Sequence, residues 1–134
     1  MARTMIEFHL DPRSGVAPYL QIVQQVKEAL RLGLLDVGDQ LPTVREVVAE
    51  LAINPNTVAK AYRELETGGL VEAQPGRGTF VTGTLVAPSQ KHHEALRREL
   101  ERWLESAESA GLDEESIRAV ISTTLREAFV RRVA

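Results

Sequence analysis

Residues 41–81 read LPTVREVVAELAINPNTVAKAYRELETGGLVEAQPGRGTFV and carry the strongest structural signal in the chain. Thr43 is followed three residues later by Glu46, the reciprocal pair in which each side chain satisfies an orphan amide at a helix start. A short helix is expected to open at Thr43, with Val44, Val47, Val48 and Leu51 on its buried face. Asn54 then stands before Pro55, a cap acceptor followed by the residue best tolerated at the first helical position. The next helix begins there. Val58, Ala61, Tyr62 and Leu65 recur at i, i+3, i+4 and i+7, and Thr67-Gly68-Gly69 closes it. Leu70 to Ala73 and Thr79 to Thr82 are short strand candidates around Gln74-Pro75-Gly76-Arg77-Gly78, a hairpin with an exposed tip.

On the N-terminal side, Met5 to Leu10 alternates loosely and ends in the turn-rich string Asp11-Pro12-Arg13-Ser14-Gly15, which predicts a short extended arm. From Pro18 the period becomes helical. Ile22, Val23, Val26, Ala29 and Leu30 share one face, Gln21, Gln24, Gln25, Lys27, Glu28 and Arg31 take the solvent side, and Gly33 marks the stop. On the C-terminal side, composition breaks at Ala87-Pro88-Ser89-Gln90, dividing the chain into residues 1–87 and 88–134. Beyond the break, Leu96, Leu100, Trp103, Leu104 and Ala107 form one helical stripe. Ile117, Val120, Ile121, Thr124, Leu125, Ala128 and Phe129 form another after Gly111-Leu112-Asp113.

A short capped helix, a tight connection, a second helix opening on small polar residues and a β-hairpin make the layout of a winged helix-turn-helix. The fold class is therefore mainly α with a small β-hairpin wing, followed by a tail of two helices. The stripe that anchors the helix starting at Pro55 leaves Asn56, Thr57, Ala59, Lys60, Arg63 and Glu64 toward solvent, where small and polar groups can enter a major groove. Free amides around Asn56 and Thr57 would add the anion affinity of a helix N-terminus, with Asn54 as the cap. Arg77, between two glycines, sits on a tip narrow enough to approach the backbone or minor groove. Structural alternatives stand beside these readings. Arg45 could pair with Glu46 or Glu50, and Lys60 and Arg63 could form a solvated ion-pair face with Glu64 and Glu66.

The 134 residues carry 16 Lys plus Arg against 19 Asp plus Glu, a formal charge of −3 that splits into −2 before Pro88 and −1 after it. No broad basic field exists, so contact with nucleic acid must come from local placement. The absence of cysteine excludes a disulfide framework and thiolate zinc, and fits a reducing interior. No apolar run reaches membrane-spanning length, and a cytoplasmic protein is expected. The adjacent His92 and His93 diverge by about 100° on a helix, so no metal site is expected. No phosphate-cradling glycine loop, paired-histidine helix or Gly-flanked serine nucleophile is present, which argues against an enzyme and against a bound cofactor. Tyr62 and Trp103 fall on apolar stripes and read as core or interface.

Residues 18–81 closely resemble the winged-helix domain of the GntR family of bacterial transcriptional regulators, through the GDQLP turn, REV, NPNTVAKAYRELE and GRGTFV. The short helical tail and the wording INPNTVAKAYRELE resemble the YtrA-like group within it. The resemblance implies that Arg45 contacts DNA, that Asn54, Asn56 and Thr57 contact phosphate or bases, and that Gly76 and Arg77 reach the adjacent minor groove. Pro55 and Ala59 stand where many relatives of other subfamilies carry arginine, which removes bidentate guanine reading there and leaves part of it to Lys60 and Arg63.

The two tail stripes cannot both be buried against each other, so one seeks either the winged domain or the tail of a second copy; dimerisation is the economical answer, with Leu96, Leu100, Trp103, Leu104, Val120, Ile121, Leu125 and Phe129 at the interface. Such a homodimer demands an inverted-repeat operator in double-stranded DNA. The resemblance further implies a repressor of neighbouring transport operons. Apolar space between tail helices leaves room for a small-molecule effector, although nothing polar converges to specify one. A protein-interaction module that keeps the winged fold without binding DNA specifically is the alternative.

Overall fold

The computed structural model describes residues 6–85 and 90–133. Among them the order is α1 (Pro18–Arg31), α2 (Val44–Leu51), α3 (Pro55–Thr67), β1 (Val71–Gln74), β2 (Gly78–Val81), α4 (Gln90–Ser109) and α5 (Glu114–Val133). The chain divides into two compact units, residues 1–90 and 91–134. Met5 and the composition break at 87–89 lie outside the described residues.

Unit one is built on α1, α2 and α3. Ile22, Val26, Val47, Val58, Leu65, Leu41 and Val81 are fully buried, so each helix and the wing delivers its apolar side to one centre. Burying side chains of this size contributes about 1.5–3 kcal/mol each. Phe8, from the N-terminal arm, closes the same core. The solvent-side assignment of Gln21 is corrected: it is buried, because its amide holds the arm. Gln21 Oε1 accepts from the Asp11 amide at 2.8 Å, and Nε2 lies within 3.0 Å of Asp11 O, Ser14 Oγ and Val16 O. One turn on, Gln25 binds both backbone groups of His9.

The wing is an antiparallel pair with Val71 opposite Val81 and Gln74 opposite Gly78. It starts one residue later than the apolar pattern predicts, since the Leu70 amide still donates to Leu65 O and finishes the end of α3. A third segment joins it. Gly38 N donates to Val81 O, Val81 N to Asp39 O and Leu41 N to Thr79 O, each at 2.8–2.9 Å, so the chain leaves the expected turn, closed by Asp39 N on Asp36 O, and runs along β2 as far as Leu41.

In unit two, α4 and α5 touch only around their turn. Leu112 N donates to Ala107 O, Gly111 supplies the left-handed corner (φ 95°), and Asp113 caps α5 by accepting from the Ser116 amide at 2.8 Å. Ala107 and Ile117 are buried, whereas Leu96, Leu100, Trp103, Val120, Leu125 and Phe129 are exposed. Leu104 and Ile121 are half-buried beside a groove shared with Leu112 and Ile117.

Candidate nucleic-acid interface

Arg45 is the second residue of α2, placed by the capping box in front of it. Thr43 Oγ1 accepts from the Glu46 amide at 3.1 Å and Glu46 Oε1 accepts from the Thr43 amide at 3.0 Å. The Thr43 backbone amide, and then its hydroxyl, hold the Glu46 carboxyl below its ordinary pKa. Glu46 is thus turned back onto the helix start, and among the described residues the only ion pairs are Arg97–Glu101 and Arg118–Glu114, both in the tail. Arg45 is exposed and pairs with neither Glu46 nor Glu50.

The turn between α2 and α3 is closed by Ala52, a non-glycine residue at φ 54°, whose amide donates to Val48 O. Asn54 then caps α3. Its Oδ1 accepts from the Asn56 amide at 2.8 Å and its backbone oxygen accepts from the Thr57 amide at 3.0 Å. This corrects the expected amide clamp for phosphate: Pro55 has no N–H, and Asn54 occupies the next two donors. What the start of α3 offers a ligand is side chains, exposed at Asn54 and Asn56 and half-buried at Thr57.

With Val58, Ala61, Tyr62 and Leu65 buried, the opposite side of α3 presents Asn56, Lys60, Arg63 and Thr67, all exposed. Within that stripe the two cations differ. Lys60 Nζ rests 4.0 Å from the centre of the Tyr19 ring on α1, a cation–π contact. Arg63 lines a shallow cleft together with Val44, Ala59, Tyr62, Glu66 and the wing residues Val71, Ala73 and Thr79. Among the described residues no acidic partner holds either cation, and Glu66 is committed to the Ala73 amide at 2.9 Å, which fastens the wing to α3.

Tyr62 anchors α3 from within. Its hydroxyl donates to Pro42 O at 2.5 Å, and burial, with the Glu46 charge second, pushes its pKa up, so it remains a donor. At the wing tip Arg77 is exposed between Gly76 (φ 76°) and Gly78 (φ 128°), with its guanidinium 5.9 Å from the Phe80 ring centre. Gln40 Nε2 donates to Arg77 O at 3.2 Å, a contact the linear pattern does not reveal. Arg45, the α3 stripe and Arg77 thus occupy one unit, while the expected interface residues of the tail occupy the other.

A helix presenting a polar and cationic stripe, supported by a capped helix before it and a cation-tipped hairpin after it, defines a winged helix-turn-helix protein. The family described as bacterial regulatory proteins, gntR family, matches residues 18–81. The chain is 39% identical over 112 residues to the HTH-type transcriptional repressor YtrA of Bacillus subtilis, covering 81% of this chain and 84% of that one. The solved YtrA of Sulfolobus acidocaldarius, a GntR-family transcription factor, is 32% identical with a TM-score of 0.53, covering 73% of this chain and 97% of that one. A transcriptional antiterminator from Listeria monocytogenes EGD-e aligns at 30% identity and a TM-score of 0.57, over 89% and 90% of the two chains. The protein belongs to the GntR family, in its YtrA-like branch, and is a DNA-binding transcriptional regulator, not an enzyme. Among the described residues no helix is long and apolar enough to cross a membrane.

Proposed function

We propose that the protein is a cytoplasmic homodimeric repressor that occupies an inverted-repeat operator. The observation that carries this reading is the α3 stripe of Asn56, Lys60, Arg63 and Thr67, which is exposed, contains no acidic residue and is flanked by unpaired Arg45 and by Arg77. In a major groove, Asn56 and Arg63 read base edges, and Lys60, held toward α1 by Tyr19, meets phosphate. Arg45, with Asn54 and Thr57, grips the backbone, and Gly76 lets Arg77 enter the minor groove alongside. The exposed apolar residues of α4 and α5 support pairing with a second copy, which doubles the phosphate contacts of a module with few cations. The name of the Bacillus subtilis relative favours repression. A small molecule in the tail groove is the simplest source of release, its walls supplied by Leu104, Leu112, Ile117 and Ile121 with Glu108, Glu114 and Arg118.

Selection of bound duplexes from a random pool by the full chain tests this reading. An inverted repeat with half-sites about one helical turn apart or more is expected. Enrichment of a single asymmetric site, or of none, contradicts it. Arg45→Ala should then weaken binding to every duplex and lower the salt slope by about one for each chain bound.

A further inference from the structure

Residues 40–43 contact β2, α3, α2 and the wing tip. The Leu41 amide is bonded to Thr79 of β2, Pro42 O receives the Tyr62 hydroxyl of α3, and Thr43 caps the helix that carries Arg45. Gln40, at the head of this segment, is the residue that reaches the wing tip. Its Nε2 donates to the carbonyl of Arg77, and it pairs across to Phe80. Gly78 explains how it gets there. A Cβ at that position would collide with the Gln40 amide, so the missing side chain of Gly78 is the seat in which Gln40 lies. The φ of 128° at Gly78 further restricts the position to glycine. The three-residue hairpin tip, Pro75-Gly76-Arg77, has glycines on both sides of its arginine, and the Gln40 contact ties it to the segment that leads into α2.

We propose that Gln40 is a positioning residue for DNA recognition: by holding the Arg77 carbonyl it sets where the Arg77 guanidinium meets DNA relative to Arg45 and the α3 stripe. Gln40 itself touches no nucleic acid, and its influence passes through Arg77. The inference rests on the DNA-contact reading of Arg77 given above.

The test is a double-substitution cycle in the full chain, read by fluorescence anisotropy on the duplex enriched from the random pool, across a salt series. Gln40→Ala should weaken binding about three- to tenfold, the worth of one hydrogen bond that orders a contact, and lower the salt slope as Arg77→Ala does. In the Arg77→Ala background the same Gln40 change should alter affinity less than twofold, since the residue it positions is gone. Gln40→Met, of similar size, uncharged and unable to donate to a carbonyl, should behave as Gln40→Ala, and melting temperatures of all variants should stay close to the parent. Equal losses from Gln40→Ala in both backgrounds, an unchanged salt slope, or no loss at all would overturn the proposal. Unmeasurable binding by the parent chain to every duplex would instead overturn the operator reading, and this inference with it.

Discussion

Ala52 holds a backbone conformation that L-residues other than Asn and Asp rarely adopt, at the corner between α2, which carries Arg45, and α3, which carries the exposed stripe. Glycine accepts that conformation without the Cβ clash, so Ala52→Gly should raise stability by about 0.5–1 kcal/mol. A urea midpoint shifted upward at constant slope would show it, and a midpoint shifted downward would mean that the corner relaxes when Cβ is removed. Arg63 and Lys60 separate at the same scale. Arg63 is exposed beside the small Ala59, whereas the Lys60 ammonium lies on the Tyr19 ring, and under the proposed reading Arg63 meets base edges and Lys60 phosphate. Arg63→Ala should therefore relax the preferred base at one position of each half-site, a loss of about 1–3 kcal/mol on the favoured duplex. Lys60→Ala should weaken all duplexes alike. Reselection of binding sites with each variant distinguishes the two, and an altered base preference from Lys60→Ala would reverse the assignment.

The two carboxylates that start helices, Glu46 on α2 and Asp113 before α5, are both held below their ordinary pKa values, chiefly by backbone amides of Thr43 and Ser116 respectively. A carboxyl lowered in the folded state stabilises it fully above its unfolded value, near 4.5 for Glu46 and 3.8 for Asp113, and that contribution disappears as pH falls through the lower folded value. Acid should loosen the start of α2, and with it Arg45, below about pH 4.5. Glu46→Gln should flatten this limb of the stability profile while lowering stability at neutral pH, and an acid limb unchanged by the substitution would exclude Glu46 as its source. These helix starts were legible in the linear pattern because capping is local: Thr43 with Glu46 and Asn54 with Pro55 lie within three residues of their partners. What local pattern could not reveal depends on contacts made at a distance. Gln21 looks like a solvent-side polar residue until the arm folds over it, and Gln40 looks like part of a turn until Gly78 makes room for it. Segment 38–41 contains glycine, aspartate and a following proline, all turn formers, and the turn does form at 36–39, but its bonds to β2 depend on a strand distant in sequence. The amides of Asn56 and Thr57, read from the pattern as free, are taken up for a related reason, since the cap that announces the helix also accepts from them.

For the whole molecule, the proposal joins a recognition unit that has few cations to a tail whose apolar side chains face solvent, and the second feature offsets the first when two copies bind together. Charge placed on those side chains should separate the two. Leu100→Glu with Leu125→Glu, at positions about half exposed, should leave the winged unit folded but shift the sedimenting species to a monomer. DNA affinity should fall with it, because each chain then holds its half-site alone. Retention of a dimer by this variant would move the interface elsewhere. The most direct single measurement is the stoichiometry and salt dependence of the full chain on its selected duplex, with a scrambled duplex of equal length as reference, followed by sedimentation and anisotropy. Two chains per selected duplex, tight binding that weakens linearly with the logarithm of salt concentration, and weak binding to the scrambled duplex are predicted. Equal and weak binding to both duplexes at every salt concentration, or one chain per duplex at saturation, would contradict a dimeric operator-binding repressor.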